Sequence, residues 1–79
     1  MNKADFFILQ EFIKQKGIDQ MSSLSISQLT SSLDYSKSKI YNTIKILLLE
    51  SLIDVGVRDQ NSETYFINAN GLREIEKLK

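Results

Sequence analysis

From Tyr35 to Leu49 the chain carries Lys37, Lys39 and Lys45 and no acid, while Ile40, Ile44, Leu47 and Leu48 recur at the spacing of one helix face. A segment of this kind packs inward along its apolar stripe and leaves Ser36, Ser38, Lys39 and Asn42 outside it as hydrogen-bonding groups. Just before it, Leu33-Asp34-Tyr35-Ser36 reads as a tight turn. Asp34 tolerates the left-handed conformation such a turn uses, and Ser36 or a neighbour caps a helix expected to run to about Glu50. A turn followed by a basic helix with free donors has the build of an element that enters a DNA groove.

The rest of the composition narrows the function classes. Ten basic and ten acidic side chains cancel, which argues against a chain that coats nucleic acid by net charge and puts the weight on where the charges lie. Asp54, Asp59 and Glu63 cluster after the basic helix, and Glu74 and Glu76 lie near the end. With no cysteine and no histidine, there is no disulfide, thiol nucleophile, imidazole base or usual zinc site. Gly17, Gly56 and Gly71 are isolated, so no phosphate loop and no nucleotide cofactor is expected. Scattered carboxylates form no pair with a catalytic base or metal spacing, and an enzyme is not expected. No apolar run reaches the roughly 20 residues that span a bilayer, and no secretory leader is evident. The expectation is a soluble, cytoplasmic protein without a membrane partner. Seventy-nine residues suit one small domain with little core to spare.

Around the basic helix the pattern supplies further elements. Lys3 to Lys16 has Phe6, Leu9, Phe12 and Ile13 at helical spacing and Gly17 where a helix would stop. Phe7 and Ile8 widen its apolar arc and imply a second buried face. A connector over 18–23 leads to a serine-capped helix from about Ser27 to Leu33, with Ile26, Leu29 and Leu33 inward. Leu52 to Arg58 alternates, 59–63 is a polar turn and Thr64 to Ile67 is rich in β-formers, which predicts a hairpin. Asn68 caps a last helix from about Ala69, in which Leu72, Ile75 and Leu78 share a face.

In this order the run Ser36-Lys37-Ser38-Lys39-Ile40-Tyr41-Asn42-Thr43-Ile44-Lys45-Ile46-Leu47-Leu48-Leu49-Glu50-Ser51-Leu52-Ile53 resembles the winged helix-turn-helix family of bacterial and phage transcription regulators. Their usual pattern there is Ser-x-Ser-x-Val-Tyr-x-x-Leu-x-x-Leu-Glu-x-x-Gly-Leu-Ile. Tyr65 to Ile67 and Asn70-Gly71-Leu72 are similar to the family's lead into its C-terminal helix. The resemblance implies an α+β, mostly helical fold over residues 1–79: three helices, a β-hairpin wing and a C-terminal helix. Two positions depart from the pattern. Ser51 stands where the family has Gly, which predicts strain in the turn after the basic helix, and Thr30 replaces a small Ala between the second and third helices.

The resemblance also implies a DNA interface of Ser36, Lys37, Ser38, Lys39, Tyr41, Asn42 and Lys45, with Arg58 from the wing directed to a minor groove or its phosphates. Asn42 is the best candidate base reader, because an amide pairs bidentately with adenine, whereas lysines and serines more often hold phosphates. The competing reading is a solvated face on a core helix, with Arg58 merely beside Asp59. Asp59 and Glu63 make the wing acidic and repel phosphate unless their side chains point away.

A monomer with few phosphate contacts binds weakly, so a homodimer is expected, with Phe6, Phe7, Ile8, Leu49, Leu72 and Ile75 at its interface. The leading expectation is a sequence-specific double-stranded DNA binder acting as a transcriptional regulator or repressor. Two alternatives are a centromere-binding adaptor that segregates plasmid or phage DNA and recruits a protein partner, and a winged-helix protein-interaction module.

Overall fold

Four helices and three short strands follow one another as α1 (Lys3–Lys14), β1 (Leu24–Ser25), α2 (Ile26–Ser32), α3 (Lys37–Leu49), β2 (Ile53–Val55), β3 (Thr64–Ile67) and α4 (Ala69–Lys77). They come from a computed structural model that describes residues 2–58 and 61–78. The polar turn predicted over 59–63 lies partly outside the described residues, at Asp59 and Gln60.

Capping side chains decide where each helix begins. Asn2 and Asp5 form a reciprocal capping box at α1, and Ser25 and Gln28 form one at α2. Ser36 accepts from the Lys39 N–H at 3.1 Å, and Asn68 accepts from Gly71 N–H at 3.0 Å. Each cap satisfies an amide that the helix itself cannot, worth about 1 kcal/mol. The expected α2 start at Ser27 is therefore corrected to Ile26, because Gln28 reciprocates with Ser25. The α2–α3 turn also differs from expectation. Asp34 is not left-handed; Leu33 leaves α2 in an extended conformation, and the chain reaches Ser36 without a positive φ.

The helix ends reveal a device that the sequence pattern hides. α1 and α3 both close with a left-handed non-glycine residue, Lys16 and Ser51, each at φ 61°. Beyond α3, Leu52 N–H reaches Leu47 O and Ser51 N–H reaches Leu48 O, both at 3.0 Å, the paired bonds of a Schellman motif. Beyond α1, Gly17 N–H reaches Phe12 O at 2.7 Å and Lys16 N–H reaches Ile13 O at 3.1 Å in the same way. Gly17 is thus needed for space and not for its φ: a Cβ there would lie 2.8 Å from Leu24 Cγ. Ser51 takes the left-handed φ that the family's Gly would adopt there.

β3 lies between β1 and β2 in an antiparallel sheet, with Leu24 opposite Tyr65 and Ile53 opposite Ile67. β1 was not expected from the sequence. Two residues are too few to show alternation, and Ser25 reads first as a cap. β2 is shorter than the alternation over Leu52 to Arg58 suggests, although Gly56 N–H still bonds Thr64 O at 2.8 Å. Among the described residues, no helix is long and apolar enough to cross a membrane.

Ile8, Leu9 and Phe12 of α1, Leu29 of α2, Ile40, Ile44 and Leu47 of α3, Ile67 of β3 and Ile75 of α4 form the centre of the core. Two expected interface residues are corrected by this packing. Ile8 is 0% and Ile75 1% exposed, so both are already spent inside the chain and are not available to a partner. The reason is that α1 packs against α3, β3 and α4 together, which makes its inward arc wider than a single stripe. Thr30 turns its hydroxyl back onto Ile26 O at 2.7 Å, so its polar atom is satisfied within α2.

Candidate nucleic-acid interface

The outer face of α3 follows directly from its inner one. Ile40, Thr43, Ile44 and Leu47 are buried, and at 3.6 residues per turn this leaves Lys37, Tyr41 and Lys45 on one exposed ridge and Ser38 and Asn42 on the next. Lys39 is exposed as well. Lys45 Nζ lies 4.6 Å from the centre of the Tyr41 ring, a cation–π contact that orders the ridge.

These side chains have few partners among the described residues. Among the described residues the one ion pair joins Lys77 to Glu74 at 3.6 Å, on α4. Among the described residues Lys37, Lys39 and Lys45 form no ion pair, and the Asn42 amide and Ser38 hydroxyl make no side-chain hydrogen bond. Ser36 is placed differently: its oxygen accepts the Lys39 amide as the helix cap, which leaves its hydroxyl proton for an outside acceptor.

The wing is anchored at its base. Ser23 Oγ lies 2.7 Å from Thr64 Oγ1 and 2.9 Å from Gln20 O, and Thr64 Oγ1 lies against Val57 O, so the two hydroxyl protons serve two of these three contacts. Val57 N–H bonds Gln20 O at 3.5 Å and ties the end of β2 to the connector after α1. Arg58 is exposed at the edge of the described wing; the Asp59 beside it lies outside the described residues.

A cleft of about 350 Å³ opens where the start of α2, the face of α3 and the wing converge. Ser25, the α2 cap, and Ser27 of α2 line it, with Lys37 and Tyr41 from α3 and Ser62, Glu63 and Tyr65 from the wing. Tyr65 donates its hydroxyl to Glu63 Oε2 at 3.2 Å. Burial first, and then the Glu63 charge and this bond, push the Tyr65 phenol above its ordinary value of 10.0, so it stays protonated and remains a donor. Ser25, Ser27, Ser62 and Glu63 were not anticipated as cleft residues. They come from segments distant in the chain, and no local spacing announces that they meet.

Of the expected interface residues, Phe7 and Leu72 are each 39% exposed and Leu49 85%. Phe6 is half-buried, edge-on to the Phe7 ring with centroids 5.9 Å apart, and lines a shallow groove with Asn2, Lys3 and Leu78.

The sequence matches no protein-family model and no curated protein. Solved structures are similar. TubR from Bacillus megaterium pBM400 agrees with a TM-score of 0.87 at 15% identity, over 99% of this chain and 86% of that one. The DNA-binding TubR fragment from Clostridium botulinum agrees with a TM-score of 0.82 at 22% identity, over 100% and 98%. An ArsR-like transcriptional regulator from Rhodococcus sp. RHA1 agrees with a TM-score of 0.69 at 18% identity, over 98% and 65%. At these identities the likeness establishes the fold, which is a winged helix-turn-helix: α2, the turn and α3 are its helix-turn-helix and the β2–β3 hairpin its wing.

Proposed function

We propose that this chain is a sequence-specific binder of double-stranded DNA that acts as a homodimer, in the role of a transcriptional regulator. The observation that carries the reading is the exposed face of α3, where Lys37, Lys39 and Lys45, with no ion pair among the described residues, surround the exposed Asn42 amide on a helix-turn-helix scaffold. In this reading α3 enters the major groove. Asn42 reads a base edge, Ser36, Lys37, Ser38, Lys39 and Lys45 hold phosphates, Tyr41 steadies Lys45, and Arg58 reaches the adjacent minor groove or its backbone. The likeness to a DNA-binding TubR fragment and to an ArsR-like regulator supports it.

The four cations Lys37, Lys39, Lys45 and Arg58 give one chain a salt slope of roughly −3 to −4, too shallow for tight binding at physiological salt, and a two-fold pair roughly doubles it. Phe7, Leu72 and Leu49, with half-buried Phe6, are the side chains assigned to that pairing. Phe7→Glu is expected to give monomers in sedimentation velocity and weaker DNA binding, because it puts a charge into an apolar contact. A variant that stayed dimeric would move the interface elsewhere.

A second reading within DNA binding is an adaptor for plasmid or phage segregation that also binds a protein. It is favoured by a further set of exposed apolar side chains, Ile18 and Met21 in the connector and Val55 and Val57 at the end of β2, joined through the Val57 to Gln20 bond. Regularly spaced repeats in the DNA near the coding region would select this reading over a regulator.

Fluorescence anisotropy with duplex fragments from the gene's own neighbourhood, against random duplex at low and near-physiological salt, tests the function. The expected result is a preference of at least roughly tenfold for one fragment that survives the higher salt. Equal, weak binding that vanishes with salt would point instead to a protein-interaction module.

A further inference from the structure

A helix lying in the major groove and a wing over the neighbouring minor groove are separated by one sugar-phosphate backbone, so in the reading above that backbone crosses the cleft between α3 and the wing. Most of the cleft suits it: Ser25, Ser27 and Ser62 supply hydroxyls and Lys37 an ammonium group. Glu63 does not, because a carboxylate beside a phosphate is repelled.

The carboxylate is also held there. Tyr65, 5% exposed and fixed in β3 opposite Leu24 and Val55, donates its hydroxyl to Glu63 Oε2 at 3.2 Å. Among the described residues no lysine or arginine forms an ion pair with Glu63, although Lys37 lines the same cleft.

From this placement we propose that Glu63, tethered by Tyr65, is an electrostatic brake on DNA-backbone binding, a negative group built into the phosphate path that holds down the affinity for duplex of any sequence. The brake rests on the DNA-binding reading. Its physical use is discrimination: a genome offers a very large excess of competing duplex, and a repulsive group on the backbone path limits how much protein that excess retains, leaving base contacts from α3 to decide residence. Tyr65 is a positioning residue, since it acts only through the carboxylate it holds.

The test is anisotropy with random duplex at fixed low salt for the full chain, for Glu63→Gln, Tyr65→Phe and the double variant, with Lys37→Ala as a reference. Glu63→Gln is expected to bind roughly fivefold more tightly, the size of one like-charge contact a few ångströms away in a solvent-exposed setting. Tyr65→Phe is expected to gain in the same direction but less, because the released carboxylate can swing aside, and its gain is expected to disappear in the Glu63→Gln background. The disappearance of the Tyr65→Phe gain in the Glu63→Gln background, and not the gain of Glu63→Gln alone, separates a brake at this site from a change in net charge. Unchanged or weaker binding by Glu63→Gln, while Lys37→Ala still weakens it, overturns the brake and leaves the DNA-binding reading standing. If the unaltered chain binds no duplex and Lys37→Ala changes nothing, the DNA-binding reading fails and the brake falls with it.

Discussion

α1 and α3 differ by one residue in length and close with the same left-handed turn, yet they dispose of their polar side chains in opposite ways. α1 draws its acids in. Asp5 is buried at the first turn, where its Oδ2 accepts the Asn2 N–H, and Glu11 is buried against Gln15, whose amide donates to Glu11 Oε2 and to Ser32 Oγ, both at 2.6 Å. α3 has no acid to bury: Lys37, Lys39, Lys45 and Asn42 lie outside, with Lys45 against the Tyr41 ring and, among the described residues, no ion pair to any of the three lysines. The α1 acids are held by the caps of their own helix, Asp5 by Asn2 through one carboxylate oxygen and Glu11 by Gln15, which goes on to Ser32 of α2. Exposed lysines alone do not make the contrast, since Lys3 and Lys14 of α1 are exposed too; what α3 adds is a basic face that carries no acid.

The contrast can be broken from either side. Phe12 is fully buried at the centre of α1's packing, and Phe12→Ala is expected to cost about 3–5 kcal/mol, enough to unfold much of a chain this small at ordinary temperature. Thermal denaturation followed by circular dichroism reads this directly. On α3, Lys39→Ala with Asn42→Ala is expected to leave the melting temperature almost unchanged while removing about 1–3 kcal/mol of discrimination between preferred and random duplex. If that pair destabilised the chain as Phe12→Ala does, the α3 face would be structural after all. Gln15→Ala sharpens the α1 side: it leaves the Glu11 carboxylate without its amide donor and is expected to cost about 1–2 kcal/mol in urea denaturation, with no change in DNA affinity.

Smaller effects test the turns. Ser51→Gly relieves a left-handed non-glycine residue and is expected to stabilise by up to about 1 kcal/mol, less whatever the freer unfolded chain takes back. An unchanged or lower urea midpoint would mean that Ser51 is not strained. Asp19 accepts from the Ser22 hydroxyl and backbone amide, which hold its carboxyl below the ordinary 3.8. A folded value below the unfolded one stabilises above the ordinary range, and that contribution is lost as pH falls through the lowered value. In a carbon-detected titration, Asp19 is therefore expected to have its midpoint below that of a model aspartate. A midpoint at or above the ordinary value would show that the connector turn does not form in solution.

Much of α3 and its setting is legible in the sequence because there the residue types and the periodicity agree. Ser36 caps, the apolar stripe points in, and Lys37 to Lys45 carry no acid, so helix, inner face and outer face emerge from one pattern. The start of α2 is harder, since several serines compete and only the Ser25–Gln28 reciprocity decides between them. Ile8 and Ile75 were expected at a partner's surface because an apolar arc does not say which of its residues the chain itself will cover; that depends on α3, β3 and α4 closing around α1. The cleft is least legible. Ser25, Lys37 and Glu63 meet only after the sheet has paired β1 with β3, and β1 is too short to be seen in advance.

DNA seated on the exposed face of α3 and on the wing leaves its mark on those amides. Chemical-shift mapping of the labelled chain, as a preferred duplex is titrated in at low salt, reads it. The largest shifts are expected on Ser36 to Lys45 and on Arg58, Ser62 and Glu63, with α1 nearly silent. Shifts concentrated on Phe7, Gln10 and Lys14 of α1, with α3 unmoved, would contradict it.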